Sequence, residues 1–262
     1  RIFIYKRKQI GCKWMNMDMG TAFKSTCRIL LGSEIGELDG YRGWLSEMVL
    51  QPTAAKSAIS GKSVYLARPY YDKTARFMRL GEKEAAAPLS INDIKDIDSA
   101  LAALAERFAY CGNKNIGISM NVQESDSCTD CADVLFSGQM VGDKRAAYSY
   151  AIRESECVFG CMWSGEIAFS IRCQGLFFSK RCFDSYLCFR SSDLFSCMNC
   201  RASSDLAFCF NQVSKRHMIG NCELAPEKYL ALKKKLAIEV AEGLRKNKRY
   251  PSLFQLVGER NG

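Results

Sequence analysis

The feature that most constrains the fold is a repeated spacing in the second half of the chain. Cys161 recurs as Cys182, and Cys188 recurs at the same interval as Cys209. A shorter copy lies inside this period, because Ser-Ser-Asp-Leu occurs at 191–194 and again at 203–206. A fixed period of about 21 residues indicates a solenoid, in which each repeat stacks on its neighbour.

The segments between these cysteines have the character of short strands. From residue 115 to residue 221, short apolar stretches alternate with Ser, Asp, Asn and Gly. Such runs joined by small polar turns favour β-strands. We expect a short right-handed parallel β-helix with about 21 residues per coil, which makes about five coils. The chain as a whole is then α+β, with a mixed α/β N-terminal region and a C-terminal capping helix that covers the end of the stack.

The remainder of the chain divides around this repeat. We predict a mixed α/β region at 1–82, a connector and helix at 83–114, the Cys-rich β-helix at 115–222, and a helical cap with a basic tail at 223–262. Strands are predicted at 2–5 and 63–67, where β-branched and aromatic residues are dense. Apolar residues three and four apart predict helices at 90–108 and 227–246.

The fourteen cysteines leave three interpretations open. Cys128 and Cys131 form one C-x-x-C pair, and Cys197 and Cys200 form another, so these four are weak candidates for a zinc site. The gap from Cys131 to Cys197 is much longer than the roughly 15–20 residues that separate such pairs in zinc ribbons. The alternatives are thiols stacked in a core or disulfides across coils. We expect reduced, stacked thiols, no metal and no cofactor, and a cytoplasmic location.

The charge of the chain suggests a polyanionic partner. The net charge is +9, and residues 1–13 and 225–262 each carry +5. Two basic ends suit a nucleic acid, although they are also typical of solvated termini. The weak candidates for nucleic-acid binding are a basic and aromatic cluster and the basic residues of the C-terminal helix: Arg68, Tyr70, Tyr71, Lys73, Arg76, Lys233, Lys234, Arg245 and Lys246.

Catalytic motifs are sparse. The single histidine, His217, has no nucleophile motif around it. Gly61-Lys62-Ser63 resembles the end of a phosphate-binding loop, but Lys56 stands where that loop needs glycine. We therefore predict no catalytic residue.

The chain also resembles a group of known proteins. The segment 153–161 (RESECVFGC), the turn at 189–193 and the stretch 208–221, followed by a Lys-rich helix, are similar to archaeal Cys-rich repeat proteins whose function is unassigned. The resemblance covers about residues 90–244. It implies a cytoplasmic β-helix and supplies no catalytic residues.

Three functions follow as expectations. The first is a non-enzymatic scaffold or interaction module that self-associates as a homo-oligomer or binds a protein partner, away from membranes. The second is an RNA- or ribosome-associated protein that uses its basic termini. The third is an enzyme with a site between the N-terminal region and the solenoid, at His217 or at Arg68 with Asp72.

Overall fold

The computed structural model describes residues 18–68, 70–82, 91–253 and 255. The predicted strand at 2–5 and the basic segment 1–13 lie outside these residues, as does the first part of the connector, at 83–90. The predicted β-helix is confirmed as a β-solenoid of about nine turns, with an α/β region before it and a helix after it. The division of the chain into four parts stays a prediction, as does the right-handed sense of the coil.

The helices flank a long series of short strands. In chain order the elements are α1 (Met19–Leu31), a 3-10 helix (Leu38–Tyr41), α2 (Arg42–Ser46), β1 (Thr53–Lys56), β2 (Ser63–Leu66), β3 (Arg76–Arg79), a second 3-10 helix (Ile91–Asp93), α3 (Ile97–Arg107), β4 (Ala109–Gly112), β5 (Asn115–Ile116), β6 (Met120–Gln123), β7 (Asp126–Thr129), β8 (Ala132–Leu135), β9 (Gly138–Val141), β10 (Lys144–Ala147), β11 (Tyr150–Arg153), β12 (Glu156–Phe159), β13 (Met162–Gly165), β14 (Ala168–Ile171), β15 (Ser192–Phe195), β16 (Ser204–Ala207), β17 (Arg216–Ile219), β18 (Cys222–Glu223) and α4 (Pro226–Asn247).

The coils are shorter than the sequence period suggested. Their spacing is about 12 residues, so the predicted length of about 21 residues per coil is wrong. Parallel pairing joins Lys144 to Glu156 in one sheet and Ser192 to Ser204 further along. Single bridges such as Phe177 to Phe189 continue the same register between β14 and β15. The longer interval in the sequence is therefore one coil plus three quarters of the next. We call residues that stack on one another in successive coils a row.

Every third residue bends the chain. From Asn121 to His217, a positive φ occurs at each third position, with φ of 58° at Asp193 and 51° at Asn199. Few of these residues are glycine, although the left-handed region costs other residues about 1–2 kcal/mol. The amide N–H groups at these positions donate hydrogen bonds to the preceding coil, as Asp193 N does to Lys180 O over 3.0 Å. Four such bends close each coil, and hydrogen bonds between coils offset the strain.

The residue after each bend points inward, which explains the small side chains there. Ser191 Oγ donates to Phe189 O over 2.9 Å and accepts from Ser203 N over 3.3 Å. Ser203 Oγ accepts in turn from Lys215 N over 3.1 Å. These inner hydroxyls satisfy amide N–H groups that would otherwise be buried without a partner. Cysteine and aliphatic side chains fill most of the remaining inner positions as a continuous core.

The helices cover one side of the coils. Phe159, Phe183 and Phe195 belong to one outward row, and they form a single buried cluster with residues of α1, α2 and α4. Phe183 and Phe195 stack with ring centroids 4.8 Å apart. Burial of these rings supplies the main driving force for docking the helices.

The C-terminal helix is present, but it runs along the side of the solenoid and not across its end. Tyr229 near the start of α4 lies 5.6 Å from His217 in the last coil, centroid to centroid. Lys233 Nζ donates to Asp193 O, two coils earlier in the row of His217, over 3.3 Å. The end of the sheet is instead covered by β18, which pairs antiparallel with β17.

Candidate nucleic-acid interface

A groove of about 480 Å³ lies on a corner of the solenoid that the helices leave open. Four successive coils contribute to it from three equivalent positions, and the two middle coils supply all three while the outer two supply two each. The lining residues are Phe178, Lys180, Arg190, Ser191, Ser192, Ala202, Ser203, Ser204, Ser214 and Arg216. Together with Phe177, Phe189 and Arg201 on the adjacent row, this surface is called the basic corner.

The basic corner collects cations that are far apart in the sequence. Lys180, Arg190 and Arg216 are separated along the chain and line the same groove. Arg216 also pairs with Asp205 at 4.0 Å, and Arg181, which does not line the groove, pairs with Asp193 at 2.6 Å. Within the described part of the chain, no ion pair involves Lys180 or Arg190. An array of guanidinium and ammonium groups on a concave surface attracts phosphate.

The carboxylate of Asp193, next to the groove residue Ser192, is held in an ion pair. Burial alone would raise the pKa of Asp193, but hydrogen bonds from Arg181 and Ser192 and the charge of Arg181 lower the pKa below its usual value. Arg181 binds it in a bidentate manner, with Nε and Nη2 each 2.6 Å from a carboxylate oxygen. Asp193 therefore stays ionised and paired, and it subtracts little from the positive field of the groove.

Aromatic side chains stand directly beside these cations. The rings of Phe177 and Phe189 stack with centroids 5.6 Å apart and planes 13° apart. Phe178, on the groove itself, is 53% exposed. Arg190 lies 5.9 Å from the centroid of Phe178, and Arg201 lies 5.9 Å from that of Phe189. Flat exposed rings flanked by arginine are the elements that hold unstacked bases.

The serines of the groove have two different roles. Ser191 and Ser203 belong to the inner row, and their hydroxyls are used by the backbone of the next coil. Ser204 faces outward, and its Oγ accepts from Arg216 Nε over 2.9 Å. The outer hydroxyls therefore position cations and can donate to a ligand, whereas the inner ones hold the coil together.

The predicted cluster at 68–76 does not form one surface. Tyr71 packs against Phe77 and Tyr110, with centroids 5.2 and 4.9 Å away, and burial raises its pKa above the usual value. Tyr70, Arg68 and Lys73 are exposed, whereas Arg76 is half-buried in β3. Tyr71 is therefore part of a local core and its ring is not open to a base.

The predicted basic residues of α4 fall into two groups, those that bind other parts of the protein and those that are exposed. Arg245 donates to Glu34 O and to Ser33 Oγ, over 3.0 and 2.5 Å. Lys233 is occupied by Asp193 O, whereas Lys234 and Lys246 are exposed. Because two of the four fasten α4 to its surroundings, the helix presents fewer cations than its sequence suggests.

The two C-x-x-C pairs lie far apart. Cys128 belongs to β7 near the start of the solenoid, and Cys197 lies five to six coils further along the stack. At about 4.8 Å per coil, more than about 20 Å separates them, which is beyond the reach of one tetrahedral ion. Among the described residues, no three His, Cys, Asp or Glu side chains are grouped so that they could hold a metal ion.

The two alternative locations suggested for an enzyme site lie near opposite ends of the solenoid. His217 packs on Tyr229 at the last coil. Ala67, beside Arg68, donates its N–H to Asp126 Oδ2 near the first coil, over 2.8 Å. Asp72 accepts from Thr74 N over 2.8 Å, which is local turn chemistry.

Sequence reasoning missed the basic corner, although a signal was present. Phe177 and Phe189 are separated by one coil length, and so are Phe178 and Arg190. Aligning the chain on this shorter period places them side by side.

Among the described residues, none of the helices is both long and apolar enough to cross a membrane.

Comparison of the chain with protein-family models, curated proteins and solved structures gives no match. The resemblance to archaeal Cys-rich repeat proteins therefore stays a prediction.

Proposed function

We propose that this chain is a non-enzymatic interaction module that binds single-stranded RNA along the basic corner of its solenoid. The observation that carries the proposal is the stacked pair Phe177–Phe189 with Arg201 beside it. It adjoins an open groove in which Arg190 lies beside Phe178. The proposal keeps the expectation of a macromolecular partner. It moves the RNA-binding surface from the basic termini to the side of the coils.

The chemistry favours a single strand over a duplex. The bases of a duplex are stacked on each other, whereas exposed aromatic rings and arginine planes hold bases that are unstacked. Lys180, Arg190 and Arg216 follow one another along the groove, so they can contact successive phosphates of one strand. The groove is lined by cations, serines and an aromatic ring, which suit phosphates and base faces, so we expect weak sequence preference.

The test is fluorescence anisotropy with a labelled oligouridine strand between about 50 and 200 mM salt. A variant combining Lys180→Ala, Arg190→Ala and Arg201→Ala should bind at least about tenfold more weakly. Its slope of log K against log salt should be shallower by about 2, since each lost phosphate contact removes about 0.7. The matched control is Arg68→Ala with Lys73→Ala and Lys234→Ala, which removes the same charge elsewhere and should keep the parent slope.

A second pair of variants tests stacking. Phe189→Ala should weaken binding by about 5- to 150-fold, because one stacked base contributes about 1–3 kcal/mol. Leu187→Ala truncates another exposed side chain close by in the sequence and should bind like the parent. The proposal fails if the parent does not bind RNA at about 50 mM salt. It also fails if the Arg68/Lys73/Lys234 variant loses binding while the basic-corner variant keeps it, or if a sulfated polysaccharide binds and RNA does not.

A further inference from the structure

The two ends of the solenoid differ in whether their edge strands are paired. At the C-terminal end, β18 pairs antiparallel with β17 through Met218 and Glu223 and covers that edge. At the N-terminal end, β6 is the last strand of the sheet ordered β14-β12-β10-β8-β6. Its inner side pairs with β8, and in the described part of the chain no strand lies on its outer side.

Within the described part of the chain, the open edge lacks the charge, the proline and the covering segment that often protect such an edge. Residues 115–123 (NIGISMNVQ) contain no charged residue and no proline. Ile116, Ile118 and Met120 are between 49% and 82% exposed. Edge strands in soluble proteins are normally blunted by charge, proline or a covering segment. A neutral, apolar edge is therefore expected to have a partner.

Helix α3 adds a second apolar surface that leads into the same end. Ile97, Leu101, Leu104 and Phe108 are between 47% and 70% exposed, and the main contact of α3 is with the short 3-10 helix before it. Its N-terminus is well formed, because Asp96 and Ser99 make a capping box. An independently capped helix with an exposed stripe is suited to packing against another surface.

We propose that a second copy of this chain covers the N-terminal end, forming a two-fold dimer through β6 and α3. In an antiparallel pairing of β6 with its copy, Met120 lies beside Gln123 of the second copy and Asn121 lies beside Val122. Glu124 then faces Ser119, so that no like charges meet. The edge is self-complementary, and a two-fold axis closes the assembly after two chains.

The exposed apolar surface is large enough for such a dimer. The seven side chains on the edge and on α3 expose roughly 850 Å² between them, taking roughly 200 Å² for a large side chain. A standard interface buries roughly 800 Å² per partner. The dimer does not depend on RNA, because the basic corner belongs to coils at the other end of the stack.

The test is light scattering coupled to size exclusion, with RNA-free protein from about 1 to 100 μM. The parent should elute as a dimer. Ile118→Lys with Met120→Lys should shift it to a monomer, with dimer affinity reduced at least about tenfold, and Leu101→Lys with Leu104→Lys should do the same. Phe210→Lys with Val213→Lys changes exposed apolar residues at the opposite end and should leave the dimer intact.

Other outcomes overturn the proposal. A parent that is monomeric at the highest concentration shows that the edge has no second copy on it. A dimer that survives both edge and α3 variants uses another surface. Higher oligomers that disappear in the Phe210/Val213 variant show head-to-tail stacking of the coils and not a closed pair. Far-ultraviolet circular dichroism of each variant confirms that it is folded.

Discussion

The amide N–H of Cys200 donates to Sγ of Cys188, one coil earlier, over 3.4 Å. The same contact occurs in this row two coils before, where Leu176 N donates to Ser164 Oγ over 3.1 Å. Thiol and hydroxyl therefore have the same structural task at this inner position. Hydrogen bonding and packing are therefore enough to account for the cysteine at position 188.

This relationship predicts different results for two substitutions at Cys188. Cys188→Ser keeps an acceptor for Cys200 N and should cost less than about 1 kcal/mol. Cys188→Ala leaves that N–H buried without a partner and should cost about 1–3 kcal/mol. Urea unfolding of both variants measures the difference. Equal losses for the two would show that packing volume, and not the acceptor, decides the residue type.

The inner and outer serines should also differ. Ser191→Ala removes the acceptor of Ser203 N inside the coil and should reduce the free energy of unfolding by about 1–3 kcal/mol. Ser214→Ala alters an exposed hydroxyl on the same corner and should change it by less than about 0.5 kcal/mol. If thermal and urea unfolding rank the two variants the other way, the inner serine row is not what holds the coils in register.

Asp143 makes the stability depend on pH. Burial raises the pKa of its carboxyl to about 8, despite hydrogen bonds from Ser155 N and Val141 N. A raised folded-state pKa means that stability is fully present below about pH 4, the unfolded pKa, and declines as the pH rises towards 8. Asp143→Ser, which matches Ser155 in the same row, should flatten this decline.

The measurement for Asp143 is the free energy of unfolding at pH 5 and pH 8.5. The parent should lose up to several kcal/mol over this range, at about 1.4 kcal/mol per pKa unit, and the serine variant clearly less. Glu166→Ser removes one exposed carboxylate and should keep the parent dependence. A serine variant with the parent slope would place the titrating group elsewhere.

The docking of α4 should be sensitive to charge on its buried side. Leu244 is fully buried in the cluster that contains Phe183 and Phe195. Leu244→Asp should cost more than about 3 kcal/mol and raise the binding of a hydrophobic dye, because the aromatic row becomes exposed. Leu230, on the same helix, is 60% exposed, and Leu230→Asp should behave like the parent in both assays. Similar behaviour of the two variants would mean that α4 does not protect this row.

Much of the architecture could be predicted because it is locally encoded. The alternation of apolar and small polar residues predicts a solenoid, and the apolar spacing at 227–246 predicts the helix observed at Pro226–Asn247. The helix Met19–Leu31 was not predicted, although Asp18 caps it through Thr21 N over 2.8 Å. In that helix a buried face that includes Phe23 and Cys27 docks on the coils, and tertiary packing contributes more than local propensity.

The sequence by itself largely determines which residues point into the coil, since small or apolar residues occupy every third position from Val122 to Met218 except Asp143, Gln212 and Lys215. It does not determine the coil length, because any interval that is a multiple of three returns to an inward position. Only the tertiary structure decides which interval stacks, through pairs such as Ser192 with Ser204. That choice fixes which side chains become neighbours. It brings Phe177 onto Phe189 and gathers the basic corner from residues that the chain itself keeps apart.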